Sequence, residues 1–248
     1  MNNTVTATGM QVKASTSKNL LINTSNSTSG GEASKASTLA GQVTLTPASA
    51  SVAALKADHF YSANSDVVYD TGAAKVGTVF TEQNAISSGS TGYAVKHTFY
   101  VYVDGTSTDT MTNLYVSNIS VVDTDATAAA DAEISKALRI GVVCGSNAFI
   151  YSVTGGQTSY QGLKAAGEVA TITENVLKTS APADLSEATT AYDTFASSNI
   201  LAATVASTAA TQVDIYIWYE GQDTACTTAN SVTIENLRID VAFTATGS

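Results

Sequence analysis

Alternation of apolar and polar residues dominates this chain. Over residues 93–103, Tyr93, Val95, His97, Phe99, Val101 and Val103 fall on one face, and Lys96, Thr98, Tyr100 and Tyr102 on the other. A period of two puts successive side chains on opposite sides of a strand, so this stretch is predicted to be a half-buried strand. The same pattern recurs at Val213, Ile215, Ile217 and Tyr219, and at Leu237, Ile239, Val241 and Phe243, where Asn236, Arg238 and Asp240 point outward. Leu138 to Cys144 is a further strand, turned back through Gly145-Ser146-Asn147 into Phe149-Ile150-Tyr151. Leu114 to Val122 is expected to pair antiparallel with a neighbour, and its phase slips between Val116 and Ile119, the mark of a β-bulge.

The N-terminus carries its own alternation. Val5, Ala7 and Gly9 alternate with threonines, the phase flips, and Met10, Val12 and Ala14 continue it, so a bulged strand is expected there as well. Leu20-Leu21-Ile22 follows, and Asn23 to Ser37 is then almost entirely Ser, Thr, Asn, Gly and Ala, the composition of a flexible tether. The chain divides on this reading into a strand arm (1–22), a tether (23–38) and a body (39–248). Short strands are expected at Val43 to Leu45, Val67 to Tyr69 and Val76 to Phe80. One or two helical turns are expected over Ser49 to Lys56, and short helices before Leu138, around Leu163 to Val169 and over Leu185 to Leu201. Strands joined by turns, without long alternating helices, predict an all-β fold: an antiparallel, jelly-roll-like β-sandwich.

Composition narrows the function classes. The 248 residues are 44% hydrophobic, enough to bury a core, and only 13% charged. The net charge of −10 repels phosphate backbones, and there is no basic stripe, so nucleic acid is not an expected partner. No apolar run reaches the ~18 residues of a membrane span. Ser, Thr and Asn serve as solvent-facing residues in place of Lys and Glu, which favours an exported protein whose signal peptide has been removed; a native Met1 would instead fit a virion protein.

Candidate chemistry is sparse. His97 lies mid-strand on an apolar face and reads as a core histidine, and His59 precedes Phe60 in a turn. No GxSxG elbow, HExxH or phosphate-cradling loop occurs, so neither a catalytic centre nor a cofactor is expected. Asp123, Asp125, Asp131 and Glu133 cluster in one loop and Glu220 and Asp223 in another; such oxygen clusters can hold calcium, although the EF-hand spacing is missing, and solvated loop acids are the alternative. Cys144 and Cys226 would close a loop of about 80 residues if they paired, worth ~4 kcal/mol on a chain-entropy model; a buried free Cys144 is the other reading. Tyr100 and Tyr102, and Tyr216 and Trp218, lie on the polar faces of their strands, which suggests either a subunit or ligand surface or a second packed layer.

Two stretches carry a resemblance. Tyr93-Ala94-Val95-Lys96-His97-Thr98-Phe99-Tyr100-Val101 followed by Asn113-Leu114-Tyr115-Val116-Ser117, and the opening Asn3-Thr4-Val5-Thr6-Ala7-Thr8-Gly9, resemble the central strands and mature start of exported TasA/camelysin-like proteins. The resemblance covers mainly the N-terminal half and does not extend to Ile217 to Asp223. It implies a sandwich that assembles into extracellular fibres, the N-terminal strand of one subunit completing the sheet of the next. The expected function is therefore a filament subunit of the cell surface or biofilm matrix whose partners are copies of itself. Val5, Ala7, Met10 and Val12, with the outward aromatics, would form the interface. A phage or virus structural protein and a secreted carbohydrate-binding domain are the alternatives. Removal of residues 1–22 is expected to leave a soluble monomer.

Overall fold

A computed structural model of the protein describes residues 5–8, 10–16, 19–28, 36–38, 42–50, 52–63, 80–83, 85, 91–105, 108–123, 136–152, 159–161, 189–191, 193, 195–221, 223, 225–226, 233–235 and 237–247. In chain order these form β1 (Val5–Thr8), β2 (Gln11–Thr16), β3 (Leu20–Asn23), β4 (Ala36–Thr38), β5 (Gln42–Leu45), α1 (Val52–Lys56), β6 (Phe60–Ala63), β7 (Phe80–Gln83), β8 (Thr91–Gly92), β9 (Ala94–Val103) and β10 (Thr110–Asp123). There follow β11 (Leu138–Cys144), β12 (Asn147–Ser152), β13 (Ser159–Gln161), β14 (Thr189–Ala191), β15 (Ala202–Ala206), β16 (Thr211–Tyr219), β17 (Thr233–Glu235) and β18 (Leu237–Gly247).

Two five-stranded sheets make the sandwich, one ordered β15-β10-β18-β2-β4 and the other β12-β11-β16-β9-β3. The alternation seen in the sequence decides which side chains meet between them. Val95, Phe99, Val101 and Val103 of β9 and Val213, Ile215, Ile217 and Tyr219 of β16 share one buried cluster with Leu237, Ile239, Val241 and Phe243 of β18. The odd-numbered positions of these strands face inward, as expected. Tyr93 is the exception: it precedes β9 and packs against the opposite face.

The chain ends pair with each other. β1 and β2 run parallel to β17 and β18, from Thr6 opposite Thr233 to Thr16 opposite Phe243, at one constant offset. On its other side the arm is antiparallel to β5 and β4, with Val5 opposite Leu45 and Gln11 opposite Thr38. From Thr8 to Gln11 the arm advances three residues while its partner advances four, from Thr38 to Gln42. The irregularity expected at Gly9 is therefore present, but the extra residue belongs to the partner. At that level the pairing passes from a four-stranded sheet, β17-β1-β5-β8, to the sandwich sheet. The parallel pairs β1–β17, β2–β18 and β5–β8 depart from a wholly antiparallel architecture.

Two register shifts interrupt the pairing of β10 with β18. One, between Val116 and Asn118, is the bulge legible in the sequence; the other, between Thr112 and Tyr115, contains Asn113 at φ 55°, a left-handed conformation that asparagine adopts more readily than most residues. Gly145, at φ 57°, makes the tight turn from β11 to β12.

The expected helix over 185–201 does not form. Thr189–Ala191 pairs as a strand with Ser159–Gln161, and residues 195–201 are irregular. Its alanines lack a sustained 3.6-residue apolar stripe, and its threonines favour extended backbone. The helix around Leu163 to Val169 and the strands at Val67 to Tyr69 and Val76 to Val79 lie outside the described residues. Of the stretch before Leu138, residues 136–137 form a turn and the remainder lies outside as well.

A second layer covers the outer face of the β9–β16–β11–β12 sheet. Helix α1 and β6 bring Ala54, Leu55 and Phe60 onto Ala94, Ile150, Tyr216 and Trp218. Every residue of β11 is buried as a result. Gly141 allows this close approach, because a Cβ there would lie 2.6 Å from Leu55 Cδ2 and 3.1 Å from Trp218 Cζ3. Gly141→Ala is expected to destabilise the fold by about 1–3 kcal/mol through overpacking. Adding Leu55→Ala should recover part of that loss, so thermal melts of the two single variants and the double variant should be non-additive.

Candidate functional site

The N-terminal strand occupies a slot rather than lying on the surface. β2 is hydrogen-bonded on both sides, to β18 and to β4, and its Val12 and Ala14, with Met10 just before it, are buried in the core. β3 crosses to the opposite sheet as its edge strand, pairing Leu20 to Asn23 with Val103 to Tyr100, and buries Leu20 and Ile22. Burying Met10, Val12, Leu20 and Ile22 is worth at most roughly 6–12 kcal/mol. A domain of this kind has a net stability of only about 5–15 kcal/mol. An empty slot would expose core, so removing residues 1–22 is now expected to cost much of the domain's stability rather than to leave an undisturbed soluble monomer, and a thermal melt of the truncated chain checks this. Val5 and Ala7, in β1, are likewise paired within the chain, so the arm folds into its own sheets here: Val5, Ala7, Met10 and Val12, expected at an interface with a neighbouring copy, lie within the chain's own fold.

His97 sits where the slot meets the opposite sheet. It is 1% exposed and faces inward from β9, and its Nδ1 shares a hydrogen bond of 2.8 Å with the Ser37 hydroxyl on β4. Nε2 has no hydrogen-bond partner among the described residues. Burial pushes the imidazole pKa down from 6.5 to about 4. The unfolded chain therefore binds the extra proton across the window from pH 6.5 to 4, so the neutral side chain's contribution is complete above that window and is lost as pH falls through it. The contribution is about 3 kcal/mol. Denaturant melts between pH 7 and 4 should show the wild type losing more stability than His97→Gln by an amount of that order. Equal slopes would show that His97 does not titrate in the folded chain in this way.

Other sequence candidates are placed differently from expectation. Tyr216 and Trp218 lie beneath Phe60, with ring centroids 5.8 and 5.4 Å away, and Tyr102 is also buried; Tyr100 is half-buried. Of the two readings of the outward aromatics, the packed layer holds for Tyr216 and Trp218, and neither offers a surface to a subunit or ligand. Glu220 and Asp223 are buried rather than solvated. Asp223 forms an ion pair with the buried Arg139, whose guanidinium also donates to the Lys136 and Leu138 carbonyls. Glu220 accepts hydrogen bonds from the Ser49 hydroxyl and from Trp218 Nε1. These carboxylates anchor the loop after β16 to β11 and to the segment before α1, and their oxygens are engaged by protein donors. Of the other loop, Asp123 ends β10, while Asp125, Asp131 and Glu133 lie outside the described residues.

Sequence reasoning missed Arg139 because it stands on the polar phase of a strand whose second face is covered. The only hint was its place within an otherwise apolar run. Removing one partner of a buried ion pair typically costs 3–5 kcal/mol. Arg139→Met should show a loss of about that size by denaturant melt, and Arg139→Met with Asp223→Leu should be more stable than the single variant.

Cys144 and Cys226 are free thiols. Cys144 is buried in β11 and Cys226 is half-buried in the loop after β16, and the pairing that the sequence left open is not made. Burial raises the Cys144 pKa to about 11, with the Asp214 charge adding to the effect. His59 is half-buried, and its backbone N–H donates to the Ala54 carbonyl at 2.9 Å.

Among the described residues no group of three or more His, Cys, Asp or Glu is arranged to hold a metal, and no helix is long and apolar enough to cross a membrane. No protein-family model, curated protein or solved structure matches the chain.

Proposed function

We propose that this chain is a structural subunit of an extracellular or cell-surface filament, polymerising when the N-terminal strand of one copy fills the slot of the next. The observation that carries the reading is the position of β2, paired on both edges, with Val12 and Ala14 in the core, and joined through β3 to a connection of small polar residues. An identical segment from another copy makes identical backbone pairs and buries identical side chains, so exchange sacrifices no contact within the slot. The slot's need for a strand ensures that an opened chain takes one up, its own or a neighbour's. The subunit performs no chemistry in this reading. The aromatic face that would have suited a carbohydrate is covered by α1 and β6.

Exchange can be read by mixing two chains that each carry one introduced cysteine on a Cys226→Ser background. Lys13 on β2 lies opposite Asp240 on β18, both outside the core. A Lys13→Cys chain and an Asp240→Cys chain, assembled together and treated with a short bis-maleimide, should give a covalent dimer, and negative-stain microscopy of the wild type should show filaments. A preparation that remains a single 25.4 kDa species without cross-links overturns the reading.

A further inference from the structure

The length of what is exchanged can be read from the two connections that flank β3. Between β2 and β3 stand three residues, 17–19, so the chain from Thr16 to Leu20 spans at most roughly 14 Å. The turn is also tied down: the Thr16 hydroxyl donates to the Leu20 carbonyl at 2.6 Å, and Asn19, at φ 71°, accepts from the Asp104 N–H at 2.8 Å. Between β3 and β4 stand twelve residues, 24–35, which span up to roughly 45 Å. That is about the width of a body of this chain length.

Resting on the filament reading above, we infer that the exchanged unit is the whole segment through Asn23, so that a donor supplies β1, β2 and β3 together and completes both sheets of the acceptor's sandwich, with residues 24–35 as the bridge between subunits. If β3 stayed at home while β2 crossed, the donor's Leu20 would have to sit within roughly 14 Å of the position that Thr16 takes in the acceptor. That position adjoins the acceptor's own Leu20. Two copies of the β3 start would then crowd one another in every junction, a face-to-face arrangement that favours closed pairs over a head-to-tail chain. The long connection imposes no such restriction. Moving β3 as well keeps its four register pairs with β9 and the burial of Leu20 and Ile22, now made between copies.

The partner is therefore a second copy of this chain, and its contact surface has two parts: the β18–β4 slot in one sheet and the free edge of β9 in the other. Leu21 and Tyr100 are half-buried diagonal neighbours across β3 and β9, on the face turned away from the core. Full-length chains carrying Cys226→Ser and either Leu21→Cys or Tyr100→Cys would be mixed, assembled and treated with the same bis-maleimide, beside the Lys13→Cys and Asp240→Cys mixture. Covalent dimers in both mixtures are the expected result. Dimers in the Lys13/Asp240 mixture alone overturn the three-strand unit and leave the filament reading standing. Dimers in neither overturn the filament reading itself. Should Tyr100→Cys or Leu21→Cys chains fail to fold, the exposed Asn19→Cys and Asp104→Cys chains report the same junction at the start of β3 and are read by the same criteria.

Discussion

The fold rests on the parallel pairing of its first two strands, β1 and β2, with its last two, β17 and β18. Residues 6–8 and 11–16 lie opposite 233–235 and 238–243 at one constant register in two sheets, and nearly the whole chain lies between them. Parallel neighbours need a crossover, and here the crossover is the body of the domain. β18 is held by β10 on its other side, so the slot cannot take shape until the body has brought β10, β18 and β4 into place. Contacts so distant in sequence close the largest loops and carry the largest closure entropy. A strand that docks into a site built by the rest of the chain is the one that the proposed exchange would replace.

The second constraint is that the β9–β16–β11–β12 sheet is covered on both faces. One face meets the other half of the sandwich, and the other meets α1 and β6. This explains why β11 reads as nearly continuous hydrophobic sequence with Gly141 in its middle, and why Arg139 must carry its partner into the interior with it. It also explains the large aromatics on a nominally polar phase. Polarity along this face changes with position: Trp218 and Tyr216 lie under Phe60, whereas Thr98 and Lys96 meet Asp214, which accepts from the Thr98 hydroxyl at 2.7 Å and pairs with the Lys96 amine at 3.1 Å.

Strands were legible wherever one face is buried and the other is wet. Val95 to Val103, Val213 to Tyr219 and Leu237 to Phe243 could be assigned with their inward residues, because a period of two leaves a single choice of face. The bulge near Ser117 was legible because it breaks that period. The bulge at Asn113 was not, since it falls among polar residues where no phase exists to be broken. Parallel pairing of the chain ends was illegible in principle, as alternation fixes the face of a strand and says nothing of its neighbours. The same limit concealed the Arg139–Asp223 pair, which joins residues 84 positions apart. It also left the role of Trp218 open between a packed layer and an outer surface.

On the proposed exchange, these constraints would leave a closed chain and a polymer close in free energy. Within the slot the two states share every backbone pair and every buried side chain, so the hydrophobic and hydrogen-bond terms cancel between them. What differs is the conformational entropy of the connection and the translational entropy of the subunits. A closed chain folds its own connection back, and closing a loop of a dozen residues carries only a modest entropic penalty that varies slowly with length. Association opposes this with a loss of translational freedom that shrinks as concentration rises. Any contact made outside the slot, between the bodies of neighbouring subunits, is then added to an almost balanced equilibrium. On that reading the core of the strand slot would set how firmly a strand is held, while the surface and the connection would set whose strand it is.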